Sequence, residues 1–510
     1  MYIGDHARET PDKPALINSA TGAALTFAEL NERSNRLAQY LYAHGLRRGD
    51  NIALFMENNL RYMEIIWAAL RSGLYITAVN RYLTTDEAAY IINDCDASVL
   101  VTSAARADVA QVLPESLTRC RHFLMTDGTA NGWGSYESAI ADYPPECLAD
   151  EWLGDIMLYS SGTTGRPKGV KRPLQDMKLH EGPFYLDYLK DYGFSRDTVY
   201  LSPAPMYHAA PLLFSLAVQH AGGAVVMMPH FDATEALAAI ERYRVTHSQW
   251  VPTMFVRMQK LPEAERKRFD LSSHRCAIHA AAPCPVGVKQ AMIAWWGPIL
   301  YEYYGATEGN GMTRINAAEW LAHPGSVGRA AVGVLHICDE NGRELPAGQP
   351  GLVYFEREKM PFVYHKDSER TRGAQHPLHP NWSTVGDLGY IDAEGFLYLT
   401  DRKAFTIISG GVNIYPREIE DALVTHPSVR DVAVFGIPDP EMGERVIAVV
   451  EPTDTAPPSE ELAAELIAFL RGRIAHYKVP KSIHFTDSLP RLPTGKLYKQ
   501  ALRARYLPSG

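Results

Sequence analysis

Cysteine is scarce in this chain of 510 residues: there are six, at positions 95, 120, 147, 276, 284 and 338, and none forms a CxxC pair. Such spacing excludes a disulfide scaffold and a zinc ribbon, and suits buried thiols in a reducing compartment. No apolar run approaches the roughly 18 residues that a membrane-spanning helix needs. The opening stretch, MYIGDHARETPDKP, has neither a basic nor an apolar leader segment, so it does not read as a secretory signal. Positive charge is not in excess either, with 50 Lys and Arg against 59 Asp and Glu and a net charge of −9. That balance predicts no bulk attraction to nucleic acid or to an anionic membrane. Internal repeats and low-complexity tracts are absent. These absences lead to the expectation of a cytoplasmic globular protein, with a homodimer allowed.

What is present is ordinary in amount, 46% hydrophobic and 21% charged, and ordered in pattern. Thr26-Phe27-Ala28-Glu29 reads as a capping box opening a helix, with Leu30, Leu37, Ala38 and Leu41 at helical spacing and Gly45 closing it. NIALFM (51–56), a second helix over 60–73 and LYITAV (74–79) follow. Apolar strands alternating with helices predict parallel sheets covered on both faces, and VYLSP, AVVMMP and HSQWVPT continue the pattern. Near 385 it changes to short strands separated by Asp/Gly turns, a meander. Beyond lies a helix with Ser459 as N-cap and Leu462, Leu466, Phe469 and Leu470 as its apolar stripe. The expected architecture is α/β. A large N-terminal domain (1–401) holds parallel-rich sheets under helices plus a β-meander, and a small mobile α+β domain (402–510) follows.

The run YSSGTTGRPKGV (159–170) combines glycines, hydroxyls and a lysine, which suits a loop that turns backbone N–H groups toward phosphate. Clusters of this composition are also common turns. The spacing rejects a Walker A loop, because Gly162 and Gly165 are three apart and Pro167 precedes Lys168. Gly495-Lys496 is followed by Leu497, so no second stretch supplies that motif.

YSSGTTGRPKGV resembles the phosphate loop of the adenylate-forming superfamily, which includes acyl-CoA synthetases, firefly-type luciferases and peptide-synthetase adenylation domains. TFAELNERSNRLAQYL, PMYHAAPL, YYGATEG, VGDLGY, DRKAFTIISGGVNIYPREIE and PTGK stand in that family's order from residue 26 to 496. The resemblance implies a reaction in which a carboxylate attacks the α-phosphate of ATP, pyrophosphate leaves, and the acyl group passes to a thiol. ATP and Mg²⁺ would be required, with CoA as co-substrate.

By that resemblance, Ser160, Ser161, Gly162, Thr163, Thr164 and Lys168 hold the β- and γ-phosphates. Tyr304 lies against adenine, Gly305 belongs to the same nucleotide-binding block, Thr307 donates to the α-phosphate and Glu308 binds Mg²⁺. Ala280, Ala281 and Ala282 let the base approach the backbone. Asp387 accepts from the ribose hydroxyls, and Arg402 contacts ribose or phosphate. Lys496 is the mobile catalytic lysine of adenylation, and Ser409 with Gly410 and Gly411 lines the pantetheine path after the C-terminal domain rotates. Ala404-Phe405 departs from the polar residues common at that hinge. His208 matches a gate at the carboxylate pocket, with Tyr207, Trp250, Met254 and Ala280 suggesting an apolar cavity. No cation in these segments is set to hold a second carboxylate, Arg257 being the nearest in sequence. The expected substrate is a hydrophobic monocarboxylic acid, fatty or ring-containing. CoA is the expected acceptor, since no carrier-protein segment follows Gly510. A free-standing enzyme that loads a carrier protein, a luciferase-like oxidative activity and a non-catalytic nucleotide-binding homologue are the alternatives.

Overall fold

The computed structural model describes residues 2–160, 167–181, 191–282, 284–402, 405, 407–409, 412–440, 442–491 and 497–507. They divide into two compact units. The first comprises Met1–Trp250, Lys260–Ile278 and Pro361–Thr371, and the second Val251–Gln259, His279–Met360 and Arg372–Gly510.

The first unit contains two largely parallel sheets. One runs Gly134–Ser135, His122–Thr126, Ala97–Ser103, Asn51–Phe55, Tyr75–Ala78, Asp155–Ile156, all parallel. Its central strand is buried at every position, as a strand covered by helices on both faces must be. The other contains His247–Trp250, Val199–Ser202, Ala224–Met227 and Pro14–Asn18 in parallel order, with Ala24–Thr26 antiparallel at the edge. The helix Phe27–Ala43 starts as its sequence predicts. Thr26 Oγ1 accepts from the Glu29 N–H at 3.2 Å, and the Glu29 carboxylate accepts from the Thr26 N–H at 2.9 Å. Two N–H groups without helical partners are satisfied reciprocally.

The second unit contains the antiparallel strands Leu300–Gly305, Met312–Asn316 and Arg329–Val332. It also contains an antiparallel meander, Val334–Cys338, Gly351–Glu356, Asp387–Ile391 and Leu397–Arg402, of which the last two strands lie in the stretch predicted near 385. Its C-terminal part has a sheet of its own, ordered Val412–Ile414, Ile407–Ser409, Gly443–Pro452, Val429–Asp439, with Ser482–Phe485 added in parallel. Ile419, Leu423, Leu462, Leu466 and Leu470 from two helices cover one face, and Leu489 and Leu502 cover the other. Ser459 caps its helix as expected, accepting from the Leu462 N–H at 3.1 Å. Phe469, expected in the apolar stripe, is half-buried and carries the Arg473 guanidinium 3.6 Å above its ring. Among the described residues no helix is long and apolar enough to cross a membrane.

Candidate active site

In the first unit, Leu158–Ser160 pairs antiparallel with Lys168–Lys171, and Ser160 stands opposite Lys168. The two ends of the glycine–hydroxyl run are therefore held side by side, and Val363–Tyr364 adds a third strand. The Lys168 ammonium lies 4.9 Å from the centre of the Tyr364 ring, a cation–π distance. Ser161, Gly162, Thr163 and Thr164 lie outside the described residues.

The PMYH loop connects Val199–Ser202 to the helix Ala209–His220, and His208 is the residue immediately before that helix. Its ring meets the Tyr207 ring edge-on, with centroids 4.3 Å apart. His208 keeps part of its surface exposed, yet its Nε2 and the Tyr207 hydroxyl are buried without a hydrogen-bond partner among the described residues. Burial pushes the His208 imidazole down to about 3, so it is neutral at physiological pH and cannot serve as a fixed cation. Trp250, expected to line the acid cavity, is fully buried. Its indole N–H donates to Ser248 Oγ at 2.6 Å, and that oxygen stands 2.6 Å from His274 Nε2. Ser248 and His274 carry no recognisable motif and were not anticipated. Met254 is buried in the helix Pro252–Gln259 of the second unit.

Burial depresses several imidazoles of the first unit, furthest at His208, His220 and His274, to about 3, and at His247, to about 4. Unfolded, each would titrate near 6.5, so between about 6.5 and 4 the unfolded chain binds more protons. Their contribution is complete above 6.5 and is lost as pH falls through that window. Each imidazole costs of order 1 kcal/mol per pH unit there. Thermal melting at pH 7.5, 6 and 5 is expected to show a steep fall in the midpoint below 6.5. A flat profile would contradict the burial of these rings.

In the second unit, three separated segments of the sequence meet. Tyr304, near the end of Leu300–Gly305, donates its hydroxyl hydrogen to Asp387 Oδ2 at 2.7 Å. Asp387 begins its meander strand and is in register with Arg402 on the next. The expected adenine, ribose and junction residues are thus brought together, 83 residues separating the first two. The turn that follows carries Thr307, half-buried, and Glu308, 7% exposed. Gly309 takes φ +63° to make the turn, a conformation suited to glycine. Gly311 admits no side chain, because a Cβ would lie 2.0 Å from Phe355. Two residues missed by sequence reading brace the turn: the Arg357 guanidinium donates to Gly309 O at 3.2 Å, and buried Asn310 donates to Ser383 O at 3.4 Å.

The alanine segment follows the strand Cys276–His279. Ala280 is buried, Ala281 and Ala282 are exposed, and Ala281 sits at φ +73°. A left-handed alanine stores backbone strain, which persists where surrounding structure imposes it and is concentrated at functional sites. Beneath lies an unanticipated charge cluster. The Lys289 ammonium donates to Glu302 Oε2 at 2.6 Å and stands 4.7 Å from the centre of the Trp320 ring, while His279 Nε2 is 3.7 Å from the same carboxylate.

Lys496, Gly410, Gly411 and Ala404 lie outside the described residues. On either side of the lysine segment, Arg491 bridges to Leu497, and Arg491 grips Asp431 through two hydrogen bonds of 2.6 Å each. The Phe405 ring receives the Lys499 ammonium at 5.6 Å, so a cation–π contact stands next to the expected polar hinge position. Among the described residues no group of three or more His, Cys, Asp or Glu could hold a metal. Glu308 is a buried carboxylate, the kind of oxygen ligand that suits a hard cation whose shell is completed by phosphate and water.

Residues 3–364 match the model of the AMP-binding enzyme family and residues 418–496 that of the AMP-binding enzyme C-terminal domain. The long-chain-fatty-acid–CoA ligase FadD13 of Mycobacterium tuberculosis is 31% identical over 99% of this chain and 97% of its own length. The feruloyl-CoA synthase of an Amycolatopsis species is 33% identical over 98% of this chain and 97% of its own. Among solved structures, ATP-bound MatB from Rhodopseudomonas palustris superposes with a TM-score of 0.82 at 29% identity, covering 99% of both chains.

Proposed function

The chain belongs to the AMP-binding enzyme family, and on that premise we propose that it is an AMP-forming acid–thiol ligase. It joins a carboxylate to the α-phosphate of ATP. The acyl C–O–P linkage forms as the bond between α- and β-phosphates breaks, and pyrophosphate leaves. The CoA thiol then displaces AMP, giving acyl-CoA and one proton. The observation that carries this reading is the Tyr304–Asp387 hydrogen bond with Arg402 in register. It supports a nucleoside site in which an aromatic ring meets the base and a carboxylate, able to accept two donors at once, accepts from ribose. Thr307 and Glu308 on the adjoining turn serve the α-phosphate and Mg²⁺. Gly305 and Ala280 to Ala282 leave room for adenine. Mg²⁺, when held by Glu308, would neutralise charge that develops on the phosphates.

Lys168 and Ser160, with Ser161, Gly162, Thr163 and Thr164 between them, hold the leaving pyrophosphate. Lys496 stabilises the charge that develops as carboxylate and α-phosphate meet. Gly410 and Gly411 admit pantetheine. A domain boundary near Arg402 is supported by the separate apolar cores built by residues 407–506. The acid is a hydrophobic monocarboxylate, fatty or aryl. Buried Tyr207, a His208 that carries no charge, and relatives named for long-chain fatty acids and ferulate support it. The unpartnered His208 Nε2 suits a ligand carboxylate oxygen reached through a water or a proton. Six unpaired cysteines support a cytoplasmic setting.

The test is pyrophosphate release across a panel of carboxylic acids, with and without CoA, and mass detection of the thioester. Release with hydrophobic acids and an acyl-CoA product is expected. Turnover of amino acids alone would overturn the substrate class, and acylation only of a carrier protein would overturn the acceptor. Tyr304→Phe removes the hydroxyl that orients Asp387 and is expected to raise KM for ATP about threefold to tenfold, the worth of about 0.7–1.4 kcal/mol that a typical net hydrogen bond contributes, leaving KM for the acid unchanged.

A further inference from the structure

The PMYH loop makes few hydrogen bonds of its own. Within residues 203–208 the backbone supplies only His208 N–H to Pro205 O, at a long 3.3 Å. Its geometry is instead set from another part of the first unit. Asn58, 6% exposed, follows the strand Asn51–Phe55 of the other sheet. Its amide nitrogen donates to Ala204 O at 3.1 Å and to Met228 O at 3.0 Å, and its Oδ1 accepts from the Met206 N–H at 2.9 Å. Both donors and the acceptor of one buried amide are used, all on segments that leave the C-terminal ends of two neighbouring strands, Val199–Ser202 and Ala224–Met227. Met206 is the residue immediately before Tyr207.

The asparagine is itself anchored on both sides. The Glu57 carboxylate accepts from Ser103 Oγ at 2.5 Å and from Asn59 Nδ2 at 2.9 Å, and Asn59 Oδ1 accepts from the Arg61 N–H at 2.9 Å. Glu57-Asn58-Asn59 thus ties the end of Ala97–Ser103, the start of the helix Arg61–Arg71 and the PMYH loop together. A buried asparagine that only satisfied the core could spend its bonds anywhere. This one spends two of three on Ala204 and Met206.

We propose that Asn58 is a positioning residue for the carboxylic acid, holding Tyr207 and His208 through Ala204 and Met206. The proposal rests on reading the PMYH loop as part of the acid site. Misplacing a binding group by a fraction of an ångström lowers affinity for the ligand it contacts and leaves other ligands untouched.

The experiment compares Asn58→Ala, Asn58→Asp and His208→Ala in steady-state pyrophosphate release, varying acid and ATP separately, together with melting temperature. Asn58→Ala is expected to raise KM for the acid about tenfold and change KM for ATP less than about twofold. Asn58→Asp retains the acceptor for Met206 but sets a carboxylate against two carbonyls. Its buried carboxyl takes up a proton as pH falls, regaining one donor. Its acid KM relative to wild type is therefore expected to improve from pH 8 to pH 6. If Asn58→Ala does not fold, this pH dependence alone decides. Equal changes in both KM values, a lowered melting temperature with both unchanged, or an Asp variant indifferent to pH overturns the proposal. Should His208→Ala leave the acid KM unchanged, the acid-site reading itself fails. A shift in His208→Ala with none in Asn58→Ala refutes the role of Asn58 alone.

Discussion

Lys496→Ala is expected to slow acyl-adenylate formation by about two to three orders of magnitude, the cost of removing one charge-stabilising donor from a transition state. A carboxylate and a triphosphate repel each other as they approach, and the attacking oxygen transfers its charge toward phosphorus. A cation placed at that point works in the transition state more than in the ground state, so its loss appears in kcat. The neighbouring lysines are already engaged: Lys499 pairs with Glu420 at 2.7 Å and Lys478 with Glu418 at 2.5 Å. They are poor substitutes, and Lys499→Ala is expected to leave adenylation within about threefold of wild type, as loss of a partly exposed pair does. The measurement is single-turnover formation of acyl-AMP. In the same preparation, thioester formation from supplied acyl-AMP and CoA should stay near the wild-type rate. Adenylation at wild-type speed in the alanine variant would remove Lys496 from the mechanism.

Lys289→Met is expected to cost the second unit about 3–5 kcal/mol, the usual penalty for stranding one member of a buried ion pair. Lys289 is fully buried and Glu302 is 4% exposed, with the ammonium 2.6 Å from the carboxylate. Water cannot reach Glu302 to replace what the lysine supplies. His279, 3.7 Å from that carboxylate, is held neutral, well below the usual imidazole range, first by burial and then by the Lys289 charge. The double variant Lys289→Met/Glu302→Leu removes both charges and is expected to recover most of the loss, because apolar residues of similar volume replace a buried pair at little cost. Denaturant unfolding followed by tryptophan fluorescence reads the effect, and Trp320, 4.7 Å from the lysine, contributes to that signal. Equal destabilisation by the single and double variants would show that packing, and not charge, holds the site.

Much of this was legible from residues close together in the chain. The Thr26–Glu29 capping box, the Ser459 cap, the apolar strand Asn51–Phe55 and the Asp/Gly meander follow from local rules, because the interacting groups lie within a few positions of one another. The blocks around Ser160, His208, Tyr304, Asp387 and Lys496 were legible as a resemblance, block by block. The contacts between blocks were not. Tyr304 and Asp387 are each a plain residue in sequence, and nothing in YYGATEG or VGDLGY says that a hydroxyl of one meets a carboxylate of the other. Nothing within VGVKQAMIAWW marks Lys289 as buried. It is buried because Glu302, Trp320 and His279 arrive from other elements.

By itself, then, the sequence determined the element order, the α/β class and the family whose motifs run from residue 26 to 496. Each of these depends on periodicity, spacing or short motifs within one segment. Only the tertiary structure decided that Asn58 spends its amide on the PMYH loop, that Ser248 and His274 anchor Trp250, and that Arg357 and Asn310 brace the turn of Thr307 and Glu308. The physical reason is common to all of them. A buried polar group is stable only with a partner, and its partner is set by what the fold brings within about 3 Å, at any distance along the chain.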